Sequence, residues 1–143
     1  MWPWLAQMGY RRGGLYTYDS FDQLFGVLDR PSANSVFEFQ HLSVGDVIPI
    51  ANDPGWPVAA VEWERLLVLD IKRRRPHIAW SFLLTPTPGG KTRLVLRYRG
   101  LAEPRILELP LYAFFDVAEF IMTRKMMLGI KARAEQLVPK GTI

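Results

Sequence analysis

The sequence predicts an α+β fold in which a curved antiparallel β-sheet is wrapped around a long C-terminal helix, with two short helices at the N-terminus. Three observations support this prediction. Two short helical patterns come first, about five strand-like segments joined by turns follow, and an apolar stripe with helical spacing ends the chain. Helices and strands that are segregated along the chain are typical of α+β proteins. We expect residues 1–143 to form a single domain.

Residues that favour the start and the end of a helix predict two N-terminal helices. Pro3 fits the first turn of a helix over Trp2–Gly9, because its missing N–H has no partner at that position. The glycine at the end of this segment favours termination of the helix. Asp19 or Ser20 can cap a second helix, which we expect to end near Gly26.

Turn residues divide the middle of the chain into short strands. Asn52–Gly55 and Thr85–Gly90 are rich in the proline, glycine and small polar residues that reverse the chain. Because the connections are short, neighbouring strands are expected to be antiparallel. The predicted strands are Val47–Ile50, Pro57–Val61, Arg65–Ile71, His77–Leu84 and Thr92–Arg99.

A long helix is predicted over Leu111–Leu137, directly after Pro110. Its apolar residues recur at intervals of three and four, which predicts a face buried against the sheet. The stripe consists of Leu111, Phe114, Phe115, Ala118, Ile121, Met122, Met126, Gly129, Ile130 and Leu137. A sheet that curls more than the helix can fill leaves an apolar cavity between them. We expect this cavity to be lined by residues such as Phe82, Leu96, Phe115, Ile121 and Met122.

Composition excludes several kinds of site. The chain has no cysteine, so thiol catalysis, cysteine-ligated metals and disulfides are excluded, and it has only two histidines. We therefore expect no metal and no cofactor. The absence of cysteine fits a reducing compartment, and the first residues lack the pattern of a signal peptide, so we expect a cytoplasmic protein. Leu109–Ile130, the best candidate for a membrane span, is interrupted by four charged residues.

Charge is unevenly distributed along the chain. Residues 1–70 hold four basic and nine acidic side chains, a net charge of −5, and residues 71–143 hold fourteen basic and five acidic, a net charge of +9. Such asymmetry is found in proteins that bind nucleic acids, membranes or anions, and also in proteins with a solvated basic face. The basic loop Lys72–Pro76 has only Trp80 as an aromatic neighbour, and we expect no nucleic-acid partner. We expect its arginines to be exposed.

Several segments, in this order, resemble one branch of the SRPBCC superfamily, the group of START-like, polyketide cyclase/dehydrase and lipid-transport proteins. They are Trp2–Gly9, Arg12–Asp19, Gln40–Asp46, Trp80–Phe82, Thr92–Val95 and Met127–Glu135. The resemblance implies a helix-grip fold, in which the sheet and the C-terminal helix enclose an apolar cavity. Members bind lipids, polyketides and other hydrophobic molecules, and a minority catalyse cyclisation or related reactions.

One departure from the family concerns the start of the chain. Members begin with a β-strand that pairs with the last strand, whereas this sequence begins within the first helix. We therefore expect either a natural start upstream of Met1 or another cover for the open edge of Thr92–Arg99. The cover would be the segment after Gly100 or a second copy of the chain, which would make a homodimer.

Eleven residues are candidates for ligand binding, and no catalytic residue is assigned. They are Gln7, Arg12, Tyr16, Tyr18, Trp80, Phe82, Leu96, Arg97, Phe115, Ile121 and Met122. Gln7 and Arg12 lie in the segments that resemble the family. Tyr16 and Tyr18 share one side of an extended segment, where they either meet a ligand or seal the sheet edge.

The remaining candidates each have a structural alternative. Trp80 and Phe82 serve equally well as core residues. In the last strand, Leu94, Leu96 and Tyr98 share the face expected to look inward, and the arginines share the other face. Arg97 is therefore either solvated or turned by curvature towards the cavity, where it would hold a carboxylate.

Three classes of function remain open. The first is binding of a small hydrophobic molecule without covalent chemistry. The second is a cyclase or dehydratase-type enzyme that uses Tyr16, Tyr18 and Arg97 at the mouth of the cavity. The third is an interaction module, or one that associates with a membrane surface through its basic, methionine-rich C-terminal helix.

Overall fold

A computed structural model of the chain describes residues 1–36, 39–50, 55–72, 77–101 and 105–136, with Lys72 described by its backbone alone. The elements are α1 (Trp2–Ala6), α2 (Asp19–Leu24), β1 (Val47–Ile48), β2 (Trp56–Glu62), β3 (Leu66–Lys72), β4 (His77–Thr87), β5 (Lys91–Leu101), a 3₁₀ turn (Ile106–Glu108) and α3 (Leu109–Gln136). The predicted α+β class is confirmed. The predicted basic loop, including Arg73–Arg75, lies outside the described residues.

The five strands form one antiparallel sheet in the order of the sequence, β1-β2-β3-β4-β5. The sheet is open, and β1 and β5 are its outer strands. Expected pairing of a second copy with the β5 edge stays a prediction, because nothing in the structure tests it.

The β4–β5 hairpin is longer than its turn residues predict. Pairing continues through Pro86 and Thr92, and Gly89 and Gly90 make the reversal with φ values of +84° and +71°. Strand β3 pairs with β4 only as far as Leu83. Pro86 therefore lies where β4 has a single neighbour, and its missing N–H can face the side without a strand.

One core joins the sheet to both ends of the chain. The inward residues of the central strands alternate with more exposed ones, as a sheet covered on one face requires. The buried apolar residues of the sheet are Ile48, Val58, Leu67, Leu69, Ile71, Trp80, Phe82 and Leu84. Those of the N-terminal segment include Trp4, Leu5, Met8 and Tyr16. From α3, only Met126 and Ile130 are fully buried.

The prediction that the whole apolar stripe of α3 is buried is wrong for its first half. Leu111, Phe114, Phe115 and Ile121 are about half exposed or more, whereas Met126 and Ile130 are buried. The physical reason is that α1 and the residues after it already pack on the apolar face of the sheet. Only the second half of α3 joins this core.

Helix α1 ends at Ala6 and is shorter than predicted, because Gly9 takes part in a β-bridge and does not end the helix. Gly9 has φ +126° and forms an isolated antiparallel bridge with Gly14. The loop closed by this bridge turns the chain back over α1. At the other end of the chain, α3 begins at Leu109, so Pro110 lies within its first turn, where proline is tolerated.

Replacing Gly129 by alanine should destabilise the protein by about 1 to 3 kcal/mol, because an added Cβ would overlap the Tyr16 carbonyl oxygen and lie 3.0 Å from the Tyr16 Cβ. At a helix position without neighbours the same change would stabilise by about 1 kcal/mol. Urea denaturation measures the difference. Ala132→Gly, at an exposed position of α3, is the control for helix propensity and should cost about 1 kcal/mol. A higher stability of Gly129→Ala would contradict the packing of α3 on Tyr16.

Candidate ligand-binding cleft

An open cleft separates β5 from the first half of α3, and we call it the Tyr98 cleft. Its volume is about 1080 Å³. Strand β5 contributes Tyr98 and Gly100 to one wall. The helix contributes Leu109, Leu111, Tyr112, Ala113, Phe115, Asp116, Ala118, Glu119 and Met122. The lining is therefore mainly apolar and aromatic, with a small number of polar groups.

Alternation along β5 brings Tyr98 to this cleft. Leu94, Leu96 and Tyr98 lie on one face of the strand, and Leu94 and Leu96 are half-buried. The Tyr98 ring meets the buried ring of Trp80 edge to face, with 6.4 Å between their centroids. Trp80 thus supports the wall of the cleft from the core side.

Tyr98 is a hydrogen-bond donor at neutral pH. Burial raises the pKa of its phenol, and the nearby carboxylates of Glu119 and Asp116 raise it further, because a phenolate would be repelled by them. Glu119 also accepts a hydrogen bond of 2.7 Å from the Thr123 hydroxyl one turn along the helix. The lining that the structure describes here includes two carboxylates and no lysine or arginine.

A second cleft lies farther along the same two elements and has a volume of about 770 Å³. It runs between the turn of the β4–β5 hairpin and the second half of α3. Its lining includes Met1, Leu94, Met127, Leu128, Lys131 and Glu135. The Lys131 ammonium lies 3.8 Å from the Glu135 carboxylate. We call it the Met127 cleft.

The candidate residues of β5 and α3 are divided between three places. Phe115 and Met122 line the Tyr98 cleft. Leu96 lies on the β5 face between Leu94, which lines the Met127 cleft, and Tyr98. Ile121 lies on the side of α3 that faces away from the cleft and is 47% exposed.

Trp80, Phe82 and Arg97 lie apart from the cleft lining. Trp80 and Phe82 are buried in the core with 5.3 Å between their ring centroids. Arg97 is exposed on the outer face of the sheet, opposite Ser81 of β4. The sequence left open whether Arg97 is solvated or turned towards the cavity, and in the structure its side chain is solvated.

Gln7, Arg12 and Tyr16 belong to a tightly packed N-terminal cluster. The Gln7 amide donates to the Ser35 carbonyl at 3.1 Å, and Arg12 donates to the Ala6 carbonyl at 2.8 Å. Gly13 passes so close to this cluster that a Cβ there would lie 2.8 Å from the Gln7 side chain. These contacts tie Gln7 and Arg12 to backbone carbonyls of the chain itself.

Tyr16 connects this cluster to α3. Its hydroxyl donates to the Trp4 carbonyl at 3.0 Å, and the Arg133 guanidinium lies over its ring at 5.0 Å. Arg133 also donates to the carbonyl of Ala33 at 2.7 Å, across 100 residues of sequence. Burial raises the pKa of Tyr16 to about 12. Its phenol therefore stays protonated and acts as a fixed donor.

The expectation that Tyr16 and Tyr18 project to the same side is wrong. Tyr16 has φ +60°, so the segment is not extended and the alternation is broken. Tyr18 points outward, is 44% exposed, and has the Lys125 ammonium over its ring at 5.4 Å. In the part of the chain that the structure describes, no hydrogen bond, ion pair or ring contact joins Tyr16, Tyr18 and Arg97.

Sequence reasoning missed the polar groups of the cleft. It placed Tyr98 on the inward face of its strand, but nothing in the pattern of α3 indicated that Asp116 and Glu119 would face that phenol. It also missed the contact between the His77 imidazole and the Asp70 carboxylate on neighbouring strands. Strand registry, which the sequence does not show directly, brings this last pair together.

Comparison with protein-family models, with curated proteins and with solved structures finds no match. Within residues 1–36, 39–50, 55–72, 77–101 and 105–136, no group of three or more histidine, aspartate and glutamate side chains could hold a metal ion. None of the described helices combines the length and the apolar character that crossing a membrane requires.

Tyr16 should make the stability of the protein fall at high pH. Its pKa is about 12 in the folded state and about 10 in the unfolded chain, so between these values the unfolded state loses the proton first. Stability is retained below pH 10 and decreases as the pH rises towards 12, by an amount on the order of 2 kcal/mol. Urea unfolding across this range, compared between the natural protein and Tyr16→Phe, measures the effect. Tyr18→Phe, at an exposed position, should show the same decrease of the unfolding free energy with pH as the natural protein. Equal slopes for all three proteins would contradict the burial of the Tyr16 hydroxyl.

Proposed function

We propose that the Tyr98 cleft binds a small hydrophobic molecule. The observation that carries this proposal is an apolar-lined cleft of about 1080 Å³ between the last strand and the C-terminal helix. Ligand sites in proteins are concave, mainly apolar and aromatic, and have volumes of roughly 300 to 1000 Å³. They usually add a small number of polar groups that fix the orientation of the ligand.

The distribution of side chains suits an amphipathic ligand. Leu109, Leu111 and Phe115 offer apolar surface to its body. Tyr98 offers a phenol donor, and Asp116 and Glu119 offer acceptors, so that a hydroxyl, carbonyl or amino group could be bound at the same end. Met122 completes the apolar wall with a side chain that adapts its shape to different ligands.

The resemblance to the SRPBCC superfamily points to the same place. Members of that family hold hydrophobic molecules between the sheet and the C-terminal helix, and the Tyr98 cleft lies between these two elements. Membership in this family stays a proposal that rests on the segments named from the sequence. The cleft here opens on one side, and the covered face of the sheet is occupied by α1.

A catalytic role is the second candidate, and the polar groups of the same cleft favour it. The Tyr98 phenol lies close enough to Glu119 and Asp116 for their charges to raise its pKa. A phenol that stays protonated can donate a hydrogen bond to a developing oxyanion, and a carboxylate can accept a proton. These residues take the roles that the sequence suggested for Tyr16, Tyr18 and Arg97.

Binding can be tested with Nile red, a neutral dye whose fluorescence increases in apolar sites. Phe115→Ser should raise the dissociation constant of the dye about tenfold, because it removes one large apolar contact from the cleft. Phe114→Ser is the matched control, since Phe114 is the neighbouring phenylalanine, is similarly exposed, and does not line the cleft. Its dissociation constant should stay within about twofold of the natural value.

Equal losses in the two variants, or no saturable binding by the natural protein, would contradict the proposal. Native mass spectrometry of the purified protein tests the same site with whatever molecule the cell supplies. A bound hydrophobic molecule that Phe115→Ser loses and Phe114→Ser retains would identify the ligand.

A further inference from the structure

We propose that the hydrophobic molecule bound in the Tyr98 cleft carries a positively charged amino group. This inference rests on the proposed binding function and adds to it the chemical class of the ligand, a hydrophobic amine. It starts from the charged groups of the described lining, which are the carboxylates of Asp116 and Glu119. The other lining residues are apolar, aromatic or glycine.

No basic side chain of the described residues neutralises these two carboxylates. Neither of them forms a salt bridge in the part of the chain that the structure describes. The positions three and four residues before and after each of them hold no lysine or arginine. Farther along the same helix, by contrast, Glu135 lies 3.8 Å from Lys131. The acidic pair of the cleft therefore differs from an ordinary solvated helix surface, where opposite charges lie one turn apart.

The helix itself does not favour two carboxylates at these positions. Asp116 and Glu119 are three residues apart, so about 5 to 6 Å separates their Cβ atoms, and like charges at such spacing destabilise a helix. Both lie beyond the first turn of α3, and the helix dipole stabilises acidic side chains only within that turn. A bound cation relieves the repulsion between the two carboxylates and is attracted by both of them.

Aromatic rings add a second attraction for a cation. Tyr98, Tyr112 and Phe115 line the cleft together with the two carboxylates. The faces of such rings attract ammonium groups, and most strongly where water is partly excluded. Burial, and then the charges of Glu119 and Asp116, raise the pKa of the Tyr98 phenol, so this ring lies close to both carboxylates. The ring and the acidic pair can therefore act on the same ammonium group.

The rest of the cleft fits an extended apolar chain. Leu109 and Glu119 both line it and are ten residues apart, which is about 15 Å along the helix and close to the length of an extended ten-carbon chain. Leu111 and Phe115 offer apolar surface between them. An ammonium group beside Glu119 thus leaves its alkyl chain along the apolar part of the cleft.

The overall charge of the protein favours the opposite class of ligand. The chain carries a net charge of +4, which on its own attracts anions. Interactions between solvent-exposed charges are largely screened beyond about 8 Å at physiological ionic strength, so the two carboxylates of the lining dominate within the cleft. A preference for a cationic ligand would therefore arise from the cleft and not from the protein as a whole.

Three ten-carbon probes that differ only in their headgroup test this inference. They are decylammonium, decanol and decanoate, each used below the concentration at which it forms micelles or separates from water. Isothermal titration calorimetry at pH 7 should give decylammonium a dissociation constant about tenfold lower than that of decanol, and decanoate a higher one than decanol. Equal affinities for decylammonium and decanol, or tightest binding of decanoate, would overturn the inference.

Removal of the two charges tests whether the preference arises in the cleft. The double variant Asp116→Asn/Glu119→Gln keeps the shapes of both side chains and should reduce the preference for decylammonium over decanol to about twofold or less. The control Glu62→Gln/Glu135→Gln removes the same number of charges from exposed positions outside the lining and should retain the preference. An equal reduction in the two double variants, or an undiminished preference in the first, would overturn the inference.

Failure of this inference is distinct from failure of the proposed function. Saturable Nile red binding that Phe115→Ser weakens, together with equal binding of decylammonium and decanol, would support a hydrophobic site and overturn its preference for amines. If neither Nile red nor any of the three probes binds saturably, both proposals are wrong. Circular dichroism verifies that the variants fold, and the comparison of the three probes on the natural protein does not depend on any variant.

Discussion

The position of α1 on the apolar face of the sheet determines most of what else the chain can do. A sheet has one face to bury here, and Trp4, Leu5 and Met8 fill much of it together with the loop that carries Tyr16. A long helix that arrives later in the chain finds only part of that face free. Helix α3 therefore packs with Met126 and Ile130 and leaves its first half beside β5, where the Tyr98 cleft forms.

Tyr16 connects α1 to the second half of α3. Its left-handed backbone, the hydrogen bond to the Trp4 carbonyl and the guanidinium of Arg133 over its ring all act at one point. Gly129 allows the helix to approach the Tyr16 backbone closely. Because the second half of α3 is anchored in this way, the direction of the whole helix is fixed. One side of its first half therefore lines the Tyr98 cleft, and the opposite side faces solvent.

Local sequence patterns were sufficient to predict the helices and strands. They could not predict features that depend on contacts between residues far apart in the sequence. Turn residues and alternation were sufficient for the strands from Trp56 onward and for the inward face of Leu94, Leu96 and Tyr98. The burial of α3 could not be read from its apolar stripe, because periodicity does not show that α1 has taken the surface. Tyr16 and Tyr18 were misplaced because a single positive φ breaks the alternation. The approach of the Glu119 carboxylate to the Tyr98 phenol depends on how a helix and a strand dock.

The contact between Arg133 and the Ala33 carbonyl bears on the order in which the protein forms during synthesis. It joins residues 100 positions apart, and Met126 and Ile130 enter the core beside α1 from the same end of the chain. The hairpins of the meander can pair as soon as they leave the ribosome, since their partners are close in sequence. The core remains without its α3 residues until the last part of that helix has emerged. The nascent chain thus carries incompletely covered apolar surface from the emergence of the sheet until α3 follows it, and this interval is when a chaperone or a second nascent copy has access to that surface.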